Sequence, residues 1–506
     1  MDPYSKLNTR PLIKLVAFFI STSLLFSACS TRLAPEKDIP EDDLYRNITY
    51  LISDPSLYNA NLGVYIESLD TGDIIFKQNE HKLFIPASNM KLFTSATALI
   101  KFGPEFRYNT ELYIDGEIDK GILSGDLIVR GKGDPSISPR FYDGDFRSVF
   151  SGWAAVLKEN GITEIRGDLI GDASYFQNAP LGSGWEWDDE PYWYAAQISA
   201  LTLNDNCVDL TITHGDSAGV KPKIEMYPQT DYVAISNRAF TDVPDSVNKL
   251  HITRERGKNT ILIENSIPLN ARPQKESITV ENPALFFITV LREILEQNDI
   301  RITGNLRADN AGEGIDYNGY RLIHTHISPP LKDILRTINK VSHNLYVEQL
   351  LLTLGAEFGE TGSASEGAKV VTRTMGGIGI PETEFIMQDG SGLSRKNLIS
   401  PSATVILLRY MAHRDDFDIF YETLPIAGVD GTLRRLMKGT NAAGKVHAKT
   451  GTVGYVRNLS GYVESDGGER FIFSLLVNHY TVPTSSINLL QDRLCNLLAR
   501  SDRNRN

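Results

Sequence analysis

Cysteine is nearly absent from this chain, with only Cys29, Cys207 and Cys495 in 506 residues. That excludes a disulfide-built scaffold, since such scaffolds are short and dense in cysteine. Positive charge is also scarce. Lysine and arginine total 51 against 63 acidic residues, the formal net charge is −12, and no long basic run occurs. The electrostatic footprint of a nucleic-acid binder is therefore missing. The nine histidines form no ligand spacing, so no metal is expected, and no organic cofactor is implied. Long apolar runs are lacking too: the stretch from Leu15 to Phe26 falls short of the roughly 20 residues a spanning helix needs. What remains is an ordinary globular composition, 41% hydrophobic and 23% charged. A chain of this length has room for several domains with substantial cores.

The N-terminus reads as a targeting segment. Lys6, Arg10 and Lys14 precede the apolar stretch, and Phe26-Ser27-Ala28-Cys29 closes it, the pattern of an export signal over residues 1–28. The closing residues resemble the lipobox of bacterial lipoproteins, with Phe26 in place of the usual aliphatic residue. That likeness implies acylation of Cys29, attachment to a membrane through an N-terminal lipid, and a polar tether over residues 29–45 carrying Pro35 and Pro40. A single membrane anchor is the alternative. Cys207 and Cys495 either pair in an oxidising compartment or lie buried as free thiols. The second is expected, because free cysteine is among the most buried residue types.

Three short strings carry chemistry, in the order Ser88-Asn89-Met90-Lys91, Ser342-His343-Asn344 and Lys449-Thr450-Gly451. Alone each is weak: a second Ser-x-x-Lys occurs at Ser246 to Lys249, and further Ser-x-Asn triplets at Ser246 and Ser486. Context separates them. Ser88 follows Pro86 and opens a helical pattern that runs to Ile100, with Gly103 just beyond its end. Ser246 leads instead into two strand-like runs. On a helix, residues three apart are neighbours, so the Lys91 amine reaches the Ser88 hydroxyl. Serine becomes nucleophilic only when a base takes its proton. Lysine serves as that base only as the free amine, which requires burial or a second cation to lower its pKa. Lys449 is the expected second cation. The bland readings are a helix start with a surface lysine at Ser88, a helix cap at Ser342 to Asn344, and a charged edge strand at Lys449.

The spacing also predicts architecture. A hairpin is expected from Leu62 to Lys77, turning at Asp70-Thr71-Gly72-Asp73. The interval between Ser88 and Ser342 is too long for a loop. It holds many period-two runs, among them Val208 to Thr213 and Thr260 to Ile263, and one clear helix that starts at Asn282-Pro283. Helical patterns then run over Leu331 to Asn339, Leu345 to Leu354, Ala368 to Met375 and Ala403 to His413. Strands follow at Val446 to Val453, Asn458 to Val463 and Phe471 to His479, before a last helix. An early hairpin and three late strands sharing one sheet make an α+β fold. The expected divisions are 46–104 with 322–506 for this body, and 105–321 for a large, mostly β insertion.

Together the three strings resemble the signatures of penicillin-recognising serine enzymes. The long insertion, Gly133-Asp134-Pro135, Trp185-Glu186-Trp187-Asp188-Asp189, Asn204-Asp205-Asn206 and Asp389-Gly390-Ser391-Gly392-Leu393-Ser394 narrow the likeness further. They resemble the D-alanyl-D-alanine carboxypeptidase/endopeptidase family, the class C low-molecular-mass penicillin-binding proteins. The resemblance implies a β-lactamase-like transpeptidase domain with an antiparallel sheet flanked by helices. It implies that Ser88 attacks the bond after a D-alanine in a peptidoglycan stem peptide or cross-link, and that Lys91 takes its proton. Ser342 would relay the proton, Asn344 hold the substrate backbone, and Lys449 with Thr450 and Thr452 hold the terminal carboxylate. Backbone N–H groups of Ser88 and Thr452, beside Gly451, would form an oxyanion hole. Trp185 and Asp188, or Asp189 instead, would meet the amine of a diaminopimelate side chain. β-Lactams would be covalent inhibitors. A β-lactamase of the same ancestry and a non-catalytic cell-wall-binding module are the competing readings.

Overall fold

The computed structural model describes residues 44–177, 179–310 and 314–502. The export signal, Cys29 and the tether up to residue 43 lie outside the described residues. Leu44 and Tyr45, expected at the end of the tether, instead open a helix, α1 (Leu44–Ile52).

Two early strands and three late ones build the central sheet. β1 (Asn61–Ser68) and β2 (Ile74–Gln78) form the predicted hairpin, and β3 (Val446–Val453), β4 (Val456–Glu464) and β5 (Arg470–Asn478) complete the sheet. Its order is β2-β1-β5-β4-β3, antiparallel throughout. β5 lies in the middle and is buried at every position after Arg470. Both of its faces are covered, which is why its sequence is a near-continuous apolar run, broken at Ser474, rather than an alternation. One face packs on α1 and the C-terminal helix Thr484–Arg500, around Ile48, Val64, Phe473, Leu490 and Leu494.

On the other side lie α2 (Met90–Phe102), α3 (Leu331–Lys340), α4 (Asn344–Phe358), α5 (Ala364–Gly377) and α6 (Pro401–Ala412). Every residue of α2 from Met90 to Leu99 is buried, so the nucleophile helix is the core of this layer, packed on α3, α4 and α5. The helix starts follow the capping chemistry legible in the sequence. Ser400 accepts from the Ala403 N–H ahead of Pro401, and Ser363 accepts from Glu366 N–H. The α+β arrangement expected from the sequence is the one observed.

Between α2 and α3 the chain builds a mixed seven-stranded sheet and three smaller sheets. Asn282 caps the predicted helix Pro283–Gln297. A second helix, Arg147–Glu159, was missed, although Val149, Phe150, Trp153 and Leu157 mark its buried face at helical spacing. The strand Arg321–Ile327 pairs with Asn109–Asp119, so the insertion's sheet extends beyond residue 322, where the sequence placed the return. One continuous apolar core joins the insertion to the helices, from Trp153 and Phe287 to Phe93 and Leu350.

Candidate active site

Ser88 sits in a tight turn: Ala87–Asn89 is 3-10, and α2 continues from Met90. Ala87 has a φ of 45°, a left-handed conformation that costs free energy for a residue with a Cβ. Three residues hold it there. Asn458 of β4 donates to Ile85 O at 2.9 Å and Pro86 O at 2.8 Å. Asn89 Nδ2 donates to Lys449 O at 3.0 Å. Gly392 approaches so closely that a Cβ there would stand 1.8 Å from Ala87 O.

Lys91, one turn into the helix, is fully buried and donates to Ser88 Oγ at 3.0 Å, Asn344 Oδ1 at 2.6 Å and Ser391 O at 2.7 Å. Burial drives its pKa down to about 7, against the opposing pull of Glu348 and Asp389. Lys449, anticipated as the second cation, is not among the groups that move the Lys91 amine. The Lys449 ammonium is itself pushed well down, first by its own burial and then by Lys91 and Arg457. Lys449 Nζ donates to Ser342 Oγ at 2.9 Å and to Thr450 O at 3.0 Å. Ser342 has a φ of 63°, a second strained residue at the site. Asn344 opens α4 and donates to Tyr194 O of the insertion at 2.8 Å.

β3 lies against the start of α2 because residue 451 has no side chain: a Cβ there would be 2.5 Å from Pro86 O. Thr450 Oγ1 donates to Thr432 Oγ1 at 2.8 Å, and Arg457 donates to Thr452 Oγ1. Ser88, Ser342, Asn344, Thr450 and Thr452 line one cleft of about 730 Å³. All three strings therefore meet. The decoy does not: Ser246 bonds Val243 O in an exposed, irregular segment.

The two insertion residues divide differently. Trp185 Nε1 donates to Asp389 Oδ2 at 2.9 Å and is not among the cleft-lining residues. Asp188 is exposed and also outside the lining, whereas Asp189 lines the cleft and accepts from the Tyr194 hydroxyl at 2.8 Å. The sequence reading missed Glu348, a buried carboxyl one turn beyond Asn344. It accepts from Gly390 N–H at 3.0 Å and Ser391 N–H at 2.7 Å, aiming the Ser391 carbonyl at Lys91. Burial, then Asp389, raises its pKa to about 8. Its signal was an acid amid the apolar residues of α4. Asp389 accepts from Gly392 and Ser394 N–H groups and so folds the loop that supplies this carbonyl.

A serine and a buried lysine at the head of a core helix, faced by a lysine-bearing edge strand, define the penicillin-recognising class of serine enzymes. Within that class the chain belongs to the D-Ala-D-Ala carboxypeptidase 3 (S13) family, which matches residues 44–499. It is 32% identical to a D-alanyl-D-alanine carboxypeptidase of Actinomadura sp. (strain R39), over 87% of this chain and 82% of that one. It is 29% identical to the D-alanyl-D-alanine carboxypeptidase DacB of Haemophilus influenzae, over 83% of this chain and 86% of that one. The crystal structure of penicillin binding protein 4 from H. influenzae is similar with a TM-score of 0.77 at 26% identity, covering 90% of this chain and 100% of that chain.

Proposed function

We propose that this cleft hydrolyses the bond after a D-alanine in peptidoglycan stem peptides and cross-links, as a serine-type D-Ala-D-Ala carboxypeptidase and endopeptidase working through an ester on Ser88. One observation carries the reading: Lys91 meets Ser88 while Lys449 meets Ser342, and both serines line a single cleft. Lys91, brought near neutrality by burial, takes the Ser88 proton as Oγ attacks the carbonyl. Ser342 relays that proton to the departing amine, and Lys449 orients the Ser342 hydroxyl. Asn344 holds Lys91 through Oδ1 and the substrate backbone at its edge. Lys449, Thr450 and Thr452 face the terminal carboxylate. The N–H groups of Ser88 and Thr452 receive the developing oxyanion, a device worth about 3–4 kcal/mol per donor. Water then releases the acyl group.

Of the two insertion aspartates, Asp189 rather than Asp188 is supported as partner for the amine of a diaminopimelate side chain, because it lines the cleft. Export and a lipid on Cys29 complete the proposal. Among the described residues no helix is long and apolar enough to cross a membrane. Cys29→Ala should shift the protein from the membrane fraction to the soluble one.

The decisive test is mass spectrometry after penicillin treatment. One drug mass should appear on the peptide carrying Ser88, and Ser88→Ala should abolish both the adduct and peptidase activity. Fast drug turnover with no adduct would support the β-lactamase reading instead. Retained activity in Ser88→Ala would remove the catalytic assignment.

A further inference from the structure

The Asn204-Asp205-Asn206 string of the insertion has no role in the reaction described above, yet its backbone is strained. Three successive non-glycine residues lie in the left-handed region, at φ 46°, 58° and 54°. Asn206 Oδ1 accepts from Leu203 N–H at 3.2 Å, and Asn204 Nδ2 donates to Cys207 O at 2.9 Å and Asp209 Oδ2 at 3.1 Å. What this turn presents is the Asp205 side chain, and two of that carboxylate's partners, His343 and Tyr346, bear on the second motif. Its Oδ1 accepts from the Tyr346 hydroxyl at 2.5 Å. Its Oδ2 accepts from Arg140 Nε at 3.0 Å and lies 3.1 Å from His343 Nε2. The ring of His343 is wholly buried, stacked on Tyr346 with centroids 3.8 Å apart and flanked by Trp193 at 5.6 Å. His343 is the residue between Ser342, held by Lys449, and Asn344, held by Lys91.

We propose that Asp205 is a positioning residue for the reaction: through His343 and Tyr346 it fixes the Ser342–Asn344 segment in the strained geometry that brings one side chain to each lysine. The insertion is thereby part of the catalytic apparatus as well as a wall of the cleft. Burial alone would raise the Asp205 carboxyl, but His343 and Arg140 reverse this and hold it below its ordinary value, so it is an anion at working pH. The anion matches the Nε2–H tautomer of His343 and the phenolic proton of Tyr346 together. A neutral amide in its place cannot serve both as acceptor in the same geometry.

The inference rests on Ser88 being the acylated residue, and one experiment separates the two ideas. Wild type, Asp205→Asn and Asp205→Ala are titrated with a fluorescent penicillin, following both the labelling rate and the final stoichiometry. The isosteric Asn variant preserves volume, so a failure of the Ala variant to fold leaves the test intact. Positioning predicts one label per chain at saturation, reached at least tenfold more slowly in Asp205→Asn, with an unchanged apparent affinity for the initial complex. Tyr346→Phe, which removes one of the two residues through which Asp205 acts, should fall between. A merely structural role predicts fewer labelled chains, each acylated at the wild-type rate. That result, or an unaltered rate, overturns the assignment of Asp205 while leaving Ser88 intact. No label on wild type would overturn the reading of the cleft, and this inference with it.

Discussion

At the scale of residues, the burial of Lys91 has a measurable consequence. A lysine amine held at about pKa 7 is mostly charged at pH 6 and mostly free at pH 8. Only the free amine accepts the Ser88 proton, so the acylation rate should rise with pH through about 7 and then level off. Stopped-flow acylation by a chromogenic cephalosporin would check it, and a limb centred near pH 10 would contradict it. Lys91→Ala should slow the same step by about 10²- to 10⁴-fold, the usual worth of a general base. Ser88 and Lys91 were legible because helical periodicity alone places residues three apart together. Glu348 was not, because an acid in an apolar helix is explained only by what faces it, here two backbone N–H groups of a distant loop. The expected Asp188 gives way to Asp189 for a similar reason. In the short 3-10 turn Trp187–Asp189, chain direction decides which carboxylate meets the cleft, and no periodic pattern records that direction.

Among the elements, the contact between β3 and the head of α2 governs the site. A methyl group at position 451 would collide with Pro86 O at 2.5 Å and crowd Asn89 N at 3.2 Å. Backbone atoms cannot swing aside as a side chain can. Gly451→Ala should therefore push the edge strand off the helix, with a stability loss of about 1–3 kcal/mol, the usual cost of overpacking. The penicillin-labelling rate should fall much further than the melting temperature, because Lys449 moves with the strand. Thermal unfolding and labelling measured together would show it; a parallel decline of both would point to general destabilisation. The helix start at Asn282-Pro283 was readable from its cap, since capping is local chemistry, whereas the helix expected from Ala403 starts two residues earlier, at Pro401 behind the Ser400 cap. The helix Arg147–Glu159 carried an equally clear apolar stripe and was obscured only by the strand-rich sequence around it.

For the whole molecule, the insertion and the body share one buried core, and each side holds a cysteine. Cys207 begins a strand of the insertion and Cys495 lies in the C-terminal helix behind the sheet; both are free and buried, as the composition suggested. Burial raises both thiols above their ordinary pKa. A Cys29→Ala protein should accordingly show no thiol reactive to Ellman's reagent when native and two after denaturation. A lower denatured count would reveal a disulfide. The strand pairing of Arg321–Ile327 with Asn109–Asp119 lay beyond local reading, since strand partnership across the insertion is a long-range matter.

The sequence by itself determined the periodicities, the caps and the three ordered strings. These depend on neighbours within a few positions, and they were enough for the α+β class and for Ser88, Lys91, Ser342, Asn344 and Lys449 as the candidate set. Tertiary structure decided the rest: the burial that lowers Lys91, the close glycine contacts at 392 and 451 that strain and seat the nucleophile turn, and the alignment of Asp205 with His343. Desolvation and steric contact depend on atoms far apart in the chain, and only folding brings those atoms together.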